Sequence, residues 1–536
     1  MIALKVKNFI VNIIKKIQSC LLAFVFIIFL GLFTKNNVFA ASVTWDGGGD
    51  ATSWSDNLNW STDLVPTDVD DVTIDSDVTV NLASTTTVNS LTLGNSGGTT
   101  TVVLNFSYNS VGNSTPLVID EGDLVIYSGG TITHTVGTTV VIGSINIDVQ
   151  TGDLIINSGG SINASEKGYG KGYGPGVGTT YTGSGHGGYG GTAPDGTAGG
   201  VSYDVMENPT NAGSGGSNTS RGGIGGGLVK ISIGNNLSLD GIITANGGAG
   251  TTGTTSAGGG GSGGAINLSI GNIFSGSGSI SANGGRGGSY MRTAGGGGGG
   301  RIAITDYYSK TFSGTITAYA GAGYPNYNSS SIAMDGGAGT IFLQANSGSP
   351  DIIIDNGTNT DLTDGGITIF SYASYINSLS ISNYSYMRID STLSVADINS
   401  QSNSYVIFNS NVSANNLSIT GGADVFINSN FVISQLLDLD GGYLNIDNSA
   451  EVNYATFNFN GELVDNGGGF SYLEGSTLLI PSGATLYGNY QRSFTSGLIE
   501  GTLTHSSNID TLINKIDYTF TGDFTVASGG SIDVSE

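Results

Sequence analysis

The stretch SLSISNYSYMRIDSTLSVADINSQSNSYVIFNSNVSANNLSIT, residues 378–420, carries the reading of the fold. Apolar and polar residues alternate along it, the period-two pattern of half-buried strands. The pattern also returns at a longer step. Leu379, Ile398, Leu417, Leu437 and Phe457 hold equivalent places, 19, 19, 20 and 20 residues apart. Between them lie Val406-Ile407-Phe408, Val425-Phe426-Ile427 and Leu444-Asn445-Ile446. A fixed step near 20 residues is about one coil of a parallel β-helix, in which each coil pairs only with the coils above and below, ~4.8 Å away.

Outward toward the N-terminus, residues 168–345 form a glycine-rich region with a longer step. GGLVKISIGNNLSLDGIITANGGAG (226–250), GGAINLSIGNIFSGSGSISANGGRG (263–287) and GGRIAITDYYSKTFSGTITAYAGAG (299–323) are copies, marked by Ala245, Ala282 and Ala318 at spacings of 37 and 36. Each unit reads as two short strands. Its glycine tracts read as partly ordered surface loops; tight packing of extended glycine strands is the alternative, open only because glycine lacks a Cβ. No G-x-x-x-x-G-K-[ST] occurs, so a phosphate-cradling loop is a poor reading. Residues 76–167 and 346–500 read as β-helix coils. TGDLIINSGGSINASE at 151–166 recurs as TGDFTVASGGSIDVSE at 521–536, and GTITH at 130–134 as GTLTH at 501–505. Residues 501–536 are therefore expected to begin a second large repeat that is cut short. The fold class expected is all-β: a right-handed parallel β-helix with Gly-rich loop insertions, after a signal peptide.

That leader occupies residues 1–40. Lys5, Lys7, Lys15 and Lys16 precede an apolar run from Leu21 to Phe33, and Val38-Phe39-Ala40 supplies a cleavage site. This is the layout of a secretory signal peptide, and the run is too short for the ~20 residues that span a bilayer. Five of the 16 Lys and Arg and the single Cys lie in it, with no acid. The remainder holds 11 basic and 41 acidic residues, a net of −30. It cannot form disulfides or thiolate metal sites. Such acidity argues against nucleic acid and against an anionic membrane surface. Secreted or cell-surface localisation is expected, with no membrane insertion of the mature part.

Residues 41–75 hold all three Trp, in WDGGGDATSWSDNLNW and then VPTDVDD. Large aromatics at the start of an array read as a cap over the first coil; a sugar-stacking platform is the alternative. This W…W…NW…P…DD pattern, about 30 residues, resembles the start of large bacterial parallel β-helix surface proteins of the autotransporter or adhesin-like type. The resemblance implies a surface rod with an adhesive role.

Candidate chemistry is sparse. His134 and His505 are repeat equivalents, and a residue copied in each repeat reads as structural. His186, in GSGHGGYGG, reads as solvated. Arg301 and Arg388 read as stems covering apolar surface. No nucleophile elbow and no HExxH occur. Asp68, Asp70 and Asp71, then Asp438 and Asp440, and more weakly Asp46 and Asp50, are oxygen clusters for Ca²⁺, read first as solvating acids. The Tyr-rich stretch 169–191 reads either as an adaptable binding surface or as rings packed over glycine. No catalytic, cofactor-binding or metal residue is assigned. The expected function is a structural, adhesin-like rod making multivalent contacts with surfaces, other cells or glycans, with self-association open. A polysaccharide lyase or hydrolase on the same rod and an architectural surface-layer component are the alternatives.

Overall fold

The computed structural model describes residues 16–17, 41–107, 117–137, 143–251, 256–289, 293–323, 333–357, 366–473, 477–508 and 514–535. The expected leader lies outside them apart from Lys16 and Ile17. From residue 41 onward the described chain has no α-helix, only two three-residue 3-10 turns, Asn57–Asn59 and Ser471–Leu473. No described helix is long and apolar enough to cross a membrane.

The strands stack in long parallel sheets, the arrangement of a β-helix or solenoid. Up to residue 345 each coil has three faces. The first face runs from Ser42–Thr44 to Ser309–Lys310, the second from Val78–Leu82 to Thr315–Thr317, the third from Thr86–Val88 to Thr340–Ala345. Register follows the repeat. Val229, Ile266 and Ile302 pair in line, as do Ile231, Leu268 and Ile304. Each glycine-rich unit holds three strands, not two: Leu228–Ile233, Leu237–Leu239 and Ile242–Thr244. Asn235-Asn236 and Asp240-Gly241 turn the corners, and the middle strand is too short for its period to stand out.

Beyond Ala345 the stack changes. Asp351–Asp355 pairs antiparallel with Thr340–Ala345, and parallel stacking then resumes at the shorter step. Leu379, Ile398, Leu417, Leu437 and Phe457 pair rung by rung as the spacing requires. The first four are fully buried, each contributing about 1.5–3 kcal/mol of apolar burial. Two cores result. Ile302, Ile304 and Ile341 belong to the first; Ala303 and Phe342, on the opposite face of the same strands, belong to the second. This explains why RIAI and TIFL lose the alternation seen elsewhere: both of their faces are covered.

The glycine tracts correct the loop expectation. Residues 257–264 are buried throughout. The amides of Gly259 and Ser262 donate to Ser217 and Ser214; those of Gly260 and Gly263 to Gly295 and Gly298; those of Gly261 and Gly264 to Gly248 and Ala245. The carbonyls of Gly259 and Ser262 accept from Gly223 and Gly226, that of Gly260 from Ser184, that of Gly261 from Gly285. Partners repeat every third residue, so the tract is an extended threefold backbone of the polyproline-II kind. It contacts six neighbouring tracts, three as donor and three as acceptor. Backbone packs directly on backbone, and the bonds satisfy the polar groups that burial would otherwise leave orphaned. A Cβ on Gly260 would overlap the carbonyl oxygen of Gly285. The array grows from one corner of the coil, because each unit leaves the second face through a tract such as 245–250 and re-enters the third face through one such as 257–264.

The distant repeat has a structural counterpart. The strand containing Ile162 pairs with the rung containing Ile132, and Ser531–Ile532 pairs with Thr502-Leu503 in the same relation. His134 Nδ1 donates to the carbonyl of Thr135, and His505 Nδ1 to that of Ser506. His134 is fully buried and its Nε2 has no partner. Burial lowers its pKa to about 4, against the backbone bond to Thr135, which raises it.

Two outcomes follow from this packing. Gly260→Ala should destabilise the protein by about 3 kcal/mol or more through overpacking, or prevent folding. Gly348→Ala, whose new Cβ meets only ordinary contacts, should stay within about 0.5 kcal/mol by denaturant unfolding. For His134, the unfolded side chain takes up its proton near pH 6.5 and the folded one only near 4. The stability contributed by keeping it neutral is therefore present above pH 6.5 and lost as pH falls toward 4. Melting curves over that range should show His134→Asn losing less than the wild type, by up to about 3 kcal/mol.

Candidate functional site

The residues singled out in the sequence are dispersed. Trp45, Trp54 and Trp60 are buried against one another, with ring centroids 4.9 and 4.8 Å apart, and Trp60 Nε1 donates to the Trp54 carbonyl at 2.9 Å. No ring is left open for stacking a sugar. The Ser53 side chain, then the amide of Thr52, Asn59 Nδ2 and the amide of Ser53 donate to Asp50, and these bonds hold its carboxyl well below the usual range. Asp70 accepts from Thr67, Asp71 from Asn89 and Ser90, Asp438 from Asn458 and Asp440 from Asn460. Each acid serves a local or cross-rung donor. No group of three or more His, Cys, Asp or Glu able to hold a metal ion occurs among the described residues.

His186 is not solvated. It lies fully buried inside the glycine array, where Nδ1 donates to the Gly263 carbonyl at 2.8 Å. Its Nε2 stands 3.5 Å from Asp204 Oδ2, at the long limit of a hydrogen bond.

Two features gather functional groups. The first is an open face of the second coil stack. Cross-rung register sets Tyr386, Tyr405, Asp424, Tyr443, Glu462 and Thr485 in one line along the outside of the sheet. Arg388, Ile407, Phe426, Asn445, Val464 and Tyr487 form the line beside it. Strand alternation aims these side chains outward, because Val406, Phe408, Val425 and Ile427 between them are buried; Val464 alone among them is itself covered. Tyr405 packs 5.0 Å from Tyr386 and 4.7 Å from Phe426, and Phe426 lies 5.8 Å from Tyr443. All four rings are half-buried. Burial, and then the charge of Glu462, pushes the Asp424 carboxyl up. Burial also raises the Tyr405 and Tyr443 hydroxyls. Tyr487 donates to Glu462 at 3.2 Å. Arg388 sits in an ion pair with Asp390 at 2.7 Å at the head of the second line. The 19- and 20-residue step of Leu379 to Phe457 is carried equally by outward residues, among them Ile407, Phe426 and Asn445 at the centres of the three apolar triads.

The second feature is a cleft of about 540 Å³ where residues 202–207 and 371–374 meet the third face of the first stack. Tyr189, Tyr203, Asp204, Glu207, Arg301 and Tyr372 line it. Tyr189 is thus the member of the 169–191 stretch that reaches a cavity, while Tyr173 is exposed at the surface. Asp204 occupies a left-handed turn at φ +67, and its oxygens accept from the amides of Val205, Thr210 and Asn211. Burial pushes its carboxyl up, but His186 and those amides outweigh it and hold it at about 2. Arg301 opens the strand that follows tract 295–300. Its Nε donates to the Tyr203 carbonyl at 2.9 Å and a terminal nitrogen to Thr340 Oγ1 at 3.0 Å. The guanidinium itself, not just the stem, is buried, and this lowers its pKa to about 10 against the opposing charges of Asp204 and Glu207.

Comparison with known proteins adds no relative: no family model, no curated protein and no solved structure matches this chain.

Proposed function

We propose that the protein is an exported, right-handed β-helical rod of adhesin-like character, which displays its outer face to glycans or other cell surfaces and holds them by many weak contacts. The observation that carries this reading is the double line of outward side chains from Tyr386 to Tyr487. It combines aromatic rings, amides and carboxylates at a constant rung spacing. Rings offer flat apolar faces to pyranose rings, and Asn445, Asp424 and Glu462 offer hydrogen bonds to hydroxyls. A repeated face with no deep pocket gains avidity as successive sugars engage successive rungs. The acidic surface keeps such a rod soluble and directs it toward neutral or weakly charged chains.

One observation favours a second reading, a polysaccharide-cleaving enzyme on the same face. Asp424 and Glu462 share a line with Tyr443 between them, two rungs or roughly 10 Å apart at the backbone. That is compatible with the ~6.5–9.5 Å carboxyl separation of inverting glycosidases, and a raised carboxyl suits a general acid.

The triple variant Tyr405→Ala, Phe426→Ala, Tyr443→Ala should bind an immobilised polysaccharide panel at least tenfold more weakly than wild type, since each ring contact is worth about 0.5–1.5 kcal/mol. Binding equal to wild type sinks the adhesive-face reading. Release of new sugar ends from the same panel, with and without calcium, and lost in Asp424→Asn and Glu462→Gln, selects the enzyme instead.

A further inference from the structure

The cleft around Arg301 asks for an occupant of its own. A guanidinium inside a protein is costly unless a counter-charge meets it. Among the described residues, Arg301 forms no ion pair within 4.0 Å; its bonds go to a neutral carbonyl and a neutral hydroxyl, and the charges of Asp204 and Glu207 reach it only from longer range. Tethering residue 203 to the third face needs only an uncharged donor, so the charge is unexplained by that role. Asp204 follows Tyr203, whose carbonyl Arg301 holds, but three amides already engage it and the His186 ring lies beside it. Glu207 is exposed. The remaining lining combines tyrosine rings with the hydroxyls of Ser202, Ser371 and Ser374.

We propose that this cleft is a pocket for a carboxylate-bearing sugar of the hexuronate type. Its carboxylate pairs with Arg301, the planar fork that matches a carboxylate with two parallel bonds. Its ring contacts Tyr189 and Tyr372, and its hydroxyls meet the serines. The volume lies within the range of small-ligand sites. A bare anion such as phosphate would use the guanidinium and leave the aromatic lining idle. The cleft also opens at the head of the outer face: Ile369, which lines it, pairs one rung away with Arg388, and the Tyr189 amide donates to the Ile367 carbonyl at 3.0 Å. The proposal thus deepens the glycan-binding reading and rests on it for its substrate class. It places a terminal acidic sugar in the cleft and the chain behind it along the tyrosine lines.

The test is calorimetric titration of the purified full chain with free glucuronate, its methyl ester, glucose and inorganic phosphate. Glucuronate should bind, and the other three at least tenfold more weakly. Arg301→Gln should reduce glucuronate binding at least tenfold with the melting temperature retained. Should that variant fail to fold, Ser371→Trp, on the exposed rim, fills the cleft and must abolish binding. The triple variant of the outer face should bind glucuronate as wild type does. Equal binding of the ester, glucose or phosphate overturns the proposal, as does absence of glucuronate binding at millimolar concentration or unchanged binding in Ser371→Trp. Retained glucuronate binding with no polysaccharide retention on the outer face defeats that reading alone; the converse defeats the cleft alone.

Discussion

Each rung of this protein is held by the N–H···O=C bonds it makes to the rung before it and the rung after it. That single constraint fixes the rest. Because parallel pairing sets residues of successive rungs directly above one another, any side chain becomes a member of a column. Inward columns of Leu and Ile fill the core. Outward columns become ladders: Asn409 donates to Asp390 and Asn428 to Asn409, each 19 residues on. A polar group that would be marginal alone is satisfied by its copy. With no cysteine after residue 20, these ladders and the apolar columns are the cross-links of the stack.

The glycine array extends the same constraint beyond the sheets. In a strand, hydrogen bonds leave the backbone in one plane, and side chains fill the space above and below. In tract 257–264 they leave in six directions, so no space remains for side chains. Glycine is required there by crowding rather than by turn conformation. Its conformational entropy cost on folding is offset by a bond at nearly every amide. The array also buries His186 and carries Tyr189, Tyr203 and Arg301 to one place, and in this way a region that looks inert in sequence builds a cleft with a buried cation.

Function on such a scaffold divides by geometry. The flat outer face repeats, and it offers the same chemistry at rung after rung. The cleft lies at the junction where the 37-residue coils give way to the 19-residue coils and two unlike stacks meet. A repeated fold that is to carry a specific site must break its repeat, and the antiparallel pairing of Asp351–Asp355 marks that break.

By itself the sequence determined the all-β class, the parallel stacking and the step of both arrays, since Leu379 through Phe457 and Ala245 through Ala318 state the period directly. It determined that acids outnumber bases and that cysteine chemistry is absent after residue 40. It could not decide the state of the glycines, because a glycine tract carries no side-chain pattern to distinguish a solvated loop from a buried array; only the partners of its amides do. Nor could it bring Asp204 to His186, or Arg301 to Tyr372, which lie 18 and 71 residues apart in the chain. Those meetings depend on how the tracts pack across coils. The outward columns stand between the two cases. Their period is written in the chain, but which side of the strand faces solvent was settled by the core that covers the other.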